Sequence, residues 1–287
     1  MKNFLLLESG ATKLSWVLAS STTVLCQGEV SGLHPFLSGA EEWQQNLQAI
    51  GDQLRDYSPV REVFYYGTGC SQDEGQVLVR KYFAAFSPSL PSPLVATDLL
   101  AAARALCQQE AGIVGILGTG SNAARYDGTK IADQRGGFGY VLGDEASGAN
   151  LGKILLQAFL QEQLPEYIQK DLQETHQLSK GAIISTVYQT ANPSRYLAQF
   201  APALKRWLPE SSSLQEKVAA EFGQFTDLYL LPLIAETDHN EVAFTGSIAV
   251  QFRPYLEEAL RRRGLAIKAI ITPPLPALVT YHQTLLY

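Results

Sequence analysis

Short apolar runs, broken by glycines and polar turns, occur twice along this chain in the same order. Residues 3–8, 12–19 and 23–30 read as three strands joined by short turns, an antiparallel meander. The stretch 39–57 instead places Trp43, Leu47, Ile50 and Leu54 at helical spacing. A strand at 63–66 closes on Gly67-Thr68-Gly69, and a helix at 74–86 follows. Pro88, Pro91 and Pro93 form an extended connector to a short strand at 94–96 and an Ala-rich helix at 98–107. The pattern then restarts with strands at 113–117, 122–126 and 130–134 and a Gly-rich loop at 136–148. Helices are expected at 147–160, 165–174, 180–189, 193–207 and 214–236. A strand at 242–245, a helix at 247–263, a strand at 266–271 and a helix at 276–286 complete it. Three strands followed by alternating helices and strands, twice over, predict a duplicated α/β fold without repeated sequence. The boundary falls near residues 108–112.

Composition narrows the class. The 287 residues are 46% hydrophobic, enough for two domains with full cores. Lys and Arg number 22 against 28 Asp and Glu, a formal charge of −6, with no basic footprint for a nucleic acid. The run Arg261-Arg262-Arg263 reads as the polar end of a helix, with Gly264 as its cap. Cys26, Cys70 and Cys107 are scattered without metal-ligand spacing, as in a reducing compartment. No basic segment with a long apolar core opens the chain, and the apolar run at 228–235 is short and holds Pro232. The expectation is a soluble, cytoplasmic protein with no membrane partner.

Several turns carry chemistry. At 8–13, Glu8 ends a strand where a carboxylate can hold magnesium, usually through water. Gly10 permits the turn, and Thr12 and Lys13 can donate to phosphate oxygens; an ordinary β-turn with a surface lysine reads equally well. At 118–122, Gly118, Thr119, Gly120 and Ser121 bring backbone N–H groups and small hydroxyls together, as in a phosphate cradle or a plain hairpin. Asp98 opens a helix just past a strand, where it or Thr97 would cap, and where a general base could accept a hydroxyl proton. Five glycines fall within the thirteen residues 136–148, around Phe138, Tyr140 and the Asp144-Glu145 pair. Ligand contact by Gly137, Phe138 and Gly139 fits that stretch, with Asp144 bonding sugar hydroxyls or capping a helix. Gly246 and Ser247 begin a helix that could face a nucleotide, with Ser247 alternatively a simple N-cap. His34 lies in a loop where strands end, at a substrate or on the surface, and Thr68, at another strand end, is a candidate substrate contact.

In this order these segments resemble the BadF/BadG/BcrA/BcrD-type ATPase family, and within it the N-acetylglucosamine kinases of the actin/hexokinase/Hsp70 superfamily. The carrying residues are 8–13, 98–104, 116–122, 136–148, 245–249 and 273–282, so the resemblance spans essentially the whole chain. It implies two ribonuclease-H-like (actin-like ATPase) domains, each a mixed sheet flanked by helices, with ATP and sugar in an interdomain cleft. The first domain would span 1–111, the second 112–272 with a helical insertion, and the last helix, 273–287, would pack back on the first. By resemblance Thr12 and Thr119 contact ATP phosphates, Asp98 is the catalytic base, and Ser247 lies near the adenosine. Gly137, Phe138, Gly139 and Asp144 match the sugar loop, and the 192–196 region matches the nucleotide side loosely. Glu8 stands where the family carries aspartate, and His34 where it carries asparagine.

The expectation is an ATP- and Mg2+-dependent kinase for the 6-hydroxyl of N-acetylglucosamine or a related N-acetylated hexosamine, with a homodimer as a possible assembly. An ATPase driving a partner protein is a rival, though the cysteines lack cluster spacing. A sugar or nucleotide sensor without turnover is the other, and Glu8 is the residue that favours it.

Overall fold

The computed structural model describes residues 3–10, 12–57, 59–235 and 237–285. Ala11 of the first turn, and the expected helix ends at Glu236 and Leu286, lie outside the described residues. The chain divides into two compact units: Met1–Ala111 with Gly128–Lys130 and Pro273–Tyr287, and Gly112–Asp127 with Ile131–Thr272.

In the first unit, strands β1 (Asn3–Ser9), β2 (Lys13–Ala19), β3 (Val24–Ser31), β4 (Val60–Gly67) and β5 (Leu94–Thr97) form one sheet in the order β3-β2-β1-β4-β5. The meander β1-β2-β3 is antiparallel, and β1, β4 and β5 are parallel. Phe4, Leu5, Leu6 and Leu7 are all fully buried, because helices cover the central strand on both faces. Alternation sends Leu5 and Leu7 to a core with Trp16, Trp43 and Phe83, and Phe4 and Leu6 to one with Tyr66, Ala101 and Leu278. Helix Ala40–Leu54 buries the four residues that its spacing singled out, each worth about 1.5–3 kcal/mol. Strand β4 starts before the expected residue 63, since polar Arg61 and Glu62 disguise its beginning. The last helix, Leu275–Leu285, packs against helix Asp98–Cys107.

The second unit repeats the plan. Strands β6 (Gly112–Leu117), β7 (Ser121–Tyr126), β8 (Ile131–Gly136), β9 (Glu241–Thr245) and β10 (Ala266–Ile271) are ordered β10-β9-β6-β7-β8, with the same strand directions. Three expected helices are interrupted at prolines, which cannot donate to the preceding turn. The 193–207 segment divides into Pro193–Ala198 and Ala201–Trp207 around Pro202, and 247–263 into Ser247–Gln251 and Arg253–Arg261 around Pro254. The 214–236 segment becomes helix Ser212–Phe225, a π-turn at Thr226–Leu230, and Leu231–Ile234 carrying Pro232. The Gly-rich loop holds a short helix, Gly139–Leu142. Arg261 and Arg262 pair with Glu258 on their own helix, and Arg263 pairs with Asp227. Gly264 follows at φ 73°.

Candidate active site

Three parallel strands of the first unit end in one row, with Ser9 opposite Gly67 and Gly67 opposite Thr97. Open α/β sheets hold ligands beyond the carboxyl ends of such strands. That register brings Glu8, Thr68 and Asp98 to the same edge.

Helix Asp98–Cys107 is capped by Thr97, whose hydroxyl accepts the Leu100 N–H at 3.1 Å. The capping task therefore falls to Thr97, and the Asp98 side chain is oriented instead. Its Oδ1 accepts the Leu99 N–H and its Oδ2 the Thr68 hydroxyl, each at 2.8 Å. Burial raises the Asp98 pKa, against the bonds from Thr68 and the backbone and the charge of His34. Burial, and then the charge of Asp98, push the Glu8 carboxyl up to about 7, while Lys13 opposes. Lys13 itself is exposed and gives its ammonium to Glu29 at 2.5 Å.

The His34 loop is tied to this edge from below. Ser9 binds Leu33 through both its hydroxyl hydrogen and its lone pair. Tyr65 donates to the same Leu33 carbonyl at 3.1 Å. The His34 ring lies against Gly69, beside Thr68, and its Nδ1 accepts the Phe36 N–H at 3.2 Å. Burial lowers its pKa while Asp98 raises it, so the neutral ring carries its proton on Nε2. Gly10 closes the first turn by donating to the Lys13 carbonyl at 2.9 Å, and Thr12 is exposed.

In the second unit, Ile116 and Ile271 both lie opposite Thr245, so β6, β9 and β10 end together. Gly118 donates to the Gly120 carbonyl at 3.0 Å. The Gly118 and Thr119 carbonyls accept from Gly148 and Ala149, which seats the turn on helix Gly148–Leu160. Thr119 is half-buried, but Ser121 faces inward and its hydroxyl has no bonding partner among the described residues. Gly246 sits at φ 109°, where an added Cβ would meet the Leu117 carbonyl at 2.2 Å. Gly246, not Ser247, holds the N-cap position, and Ser247 is the exposed first residue of its helix.

The Gly-rich loop is braced from within its own unit. Asp144, at φ 61°, is buried, and its carboxylate takes the backbone N–H groups of Ser121 and Gly139. Burial raises its pKa, and those two bonds oppose the shift. One side chain thus ties the turn to the loop. Gly137, Phe138 and Gly139 are exposed. Tyr229, from the π-turn, lies under Gly136, where a Cβ would come within 2.6 Å of its ring, and donates its hydroxyl to Glu145. Glu221 accepts from Ala146 N–H at 3.0 Å and from Asn150 at 3.4 Å.

No protein-family model matches the chain, and no curated protein matches its sequence. Among solved structures, the "Putative N-acetylglucosamine Kinase" from Porphyromonas gingivalis is 31% identical at a TM-score of 0.89, over 98% of this chain and 99% of that one. The chain belongs to the family of that protein. The "Putative N-acetylglucosamine Kinase" from Chromobacterium violaceum aligns at TM-score 0.71 and 19% identity, over 98% and 99% of the two chains. A ROK family glucokinase from Streptomyces griseus, solved with glucose and AMPPNP, aligns at 0.58 and 13%, over 99% and 98%. The last two share the fold, the two-unit actin-like fold of sugar kinases.

In this member of the Porphyromonas protein's family, Ser9, Tyr229 and Glu221 brace the candidate site and were passed over in the sequence. Ser9 stood inside a motif already singled out, between Glu8 and Gly10. Tyr229 and Glu221 gave no signal, since both sat in an unremarkable helical stretch. Among the described residues, no group of three His, Cys, Asp or Glu could hold a metal ion, and no helix is long and apolar enough to cross a membrane.

Proposed function

We propose that this chain is an ATP-dependent sugar kinase that phosphorylates the 6-hydroxyl of N-acetylglucosamine or a related N-acetylated hexosamine. Membership of the BadF/BadG/BcrA/BcrD-type group is part of the same proposal. The observation that carries it is Asp98, a half-buried carboxylate at a strand end. It is oriented by Thr68, and its pKa is raised, in a chain aligned along its length with a kinase-like relative. A raised pKa suits a base that must take a hydroxyl proton near neutral pH.

Thr68 fixes Oδ2, and Oδ1 is held by Leu99, so the carboxylate presents a fixed face to a sugar hydroxyl. His34 would donate from Nε2 to a sugar oxygen. Gly137, Phe138 and Gly139 would supply further sugar contacts, with Asp144 acting through the loop that it braces. Gly10, Thr12 and Lys13 would serve the phosphates, Lys13 by leaving Glu29. Gly118, Thr119, Gly120 and Ser121 would do so through backbone N–H groups and the Thr119 hydroxyl, with Gly246 and Ser247 beside the nucleoside. Magnesium takes one or two carboxylates plus waters and phosphates, and Glu8, with the Asp98 carboxylate nearby, fits that donor set. When bound, the ion would neutralise charge on the phosphates.

Coupled detection of ADP over a panel of hexoses and N-acetylated hexosamines tests this function. Release that requires an N-acetylated hexosamine supports it. Sugar-independent release instead indicates an ATPase coupled to a partner, and sugar binding without release a sensor.

A further inference from the structure

Asp98 begins a helix whose other end is bound into a buried polar chain. Arg104, on the same helix, donates from Nη1 to the Tyr66 hydroxyl at 2.6 Å. That hydroxyl lies 2.8 Å from His282 Nε2, on the last helix of the chain. Tyr66 and His282 are 1% and 2% exposed. Burial and then the Arg104 charge hold the His282 pKa down to about 3, so its ring is neutral. With Arg104 donating to it, the Tyr66 oxygen turns its own hydrogen toward Nε2, which assigns the ring proton to Nδ1. Phe64 and Phe4 pack against the imidazole, with centroids at 4.0 and 5.9 Å, and Arg104 lies over Tyr281 at 5.0 Å.

Tyr66 lies near the end of β4, whose last residue, Gly67, leads directly into Thr68. The same two pieces of chain are thus cross-linked twice, by Thr68 to Asp98 and by Arg104 to Tyr66. The β4–β5 pairing fixes where the helix starts, and the Arg104 bond, further along, adds to the packing that fixes its direction. We propose that Tyr66, Arg104 and His282 are positioning residues that set the Asp98 carboxylate through this second cross-link, with the last helix as its anchor. None of the three needs to touch a substrate. The proposal rests on Asp98 being the base.

The test uses the full chain with Tyr66→Phe, His282→Leu and His282→Gln, since glutamine can still accept from Tyr66. We expect kcat to fall about tenfold or more in Tyr66→Phe and His282→Leu, the scale of a small misplacement of a reacting group. KM for sugar and ATP should stay within about twofold, because ground-state binding is untouched. His282→Gln should recover most of the lost kcat. The 13C resonance of the Asp98 carboxyl, assigned with Asp98→Asn, should move in the first two variants and return in the third. Folded Tyr66→Phe and His282→Leu with unchanged kcat and an unmoved resonance overturn the proposal. So does an equal loss in His282→Gln and His282→Leu with the resonance unmoved. If Tyr66→Phe fails to fold, the two His282 variants decide. A wild-type protein without sugar-dependent ADP release overturns the kinase function instead, and the Asp98 resonance alone then decides the clamp.

Discussion

The hydroxyl of Ser9 donates to the Leu33 carbonyl and accepts the Leu33 N–H, each at 2.9 Å. Both residues are buried, so β1 and the loop carrying His34 are tied together in a dry site. Ser9→Ala leaves the Leu33 N–H without its partner in a dry site, a cost of about 1–3 kcal/mol. We expect a matching drop in urea-unfolding free energy, together with a raised KM for the sugar. Unchanged stability would show that the loop is held elsewhere.

Glu8 makes folding pH-dependent in a definite direction. Its pKa rises from 4.5 to about 7 on folding, through burial and then the charge of Asp98. The folded state therefore holds the proton more tightly, and the stability from it is full below pH 4.5 and lost as pH climbs to about 7. Without metal, Glu8→Gln should gain about 1–3 kcal/mol over the wild type between pH 5 and pH 8. Urea titrations in chelator at the two values measure this, and an equal difference at both would contradict it.

Gly246 occupies a conformation that only glycine adopts without strain, against the Leu117 carbonyl. Gly246→Ala should cost about 2–4 kcal/mol, through backbone strain and displacement of the 118–120 turn. Thermal unfolding checks the stability. Calorimetry with a non-hydrolysable ATP analogue should show weaker binding.

Tyr229→Phe keeps the ring under Gly136 and removes only the hydroxyl bonded to Glu145. If the Gly-rich loop reads the sugar, KM for the sugar should rise about 10–100-fold, the value of one charge-assisted hydrogen bond. KM for ATP should not move. A parallel rise in both would assign the loop to general stability.

Much of this was legible in local pattern. The helix at Asp98–Cys107 showed at once, because Thr97 and Asp98 are strong starters after a short strand. The duplicated sheets followed from two meanders with matching helix and strand order. What local pattern hides is register and distance. Apolar periodicity runs straight through Pro202 and Pro254, so two broken helices looked whole. The π-turn that brings Tyr229 under the loop changes no residue type. Ser9 and Leu33, or Tyr66 and His282, meet only after folding brings distant segments together.

The most direct measurement is sugar-dependent ADP release by Asp98→Asn beside the wild type. The asparagine keeps the shape and can still accept from Thr68, but it cannot take a proton. We expect turnover to fall by about 10²–10⁴, the usual worth of a general base, with sugar binding by calorimetry retained. Turnover near that of the wild type would contradict Asp98 as the base.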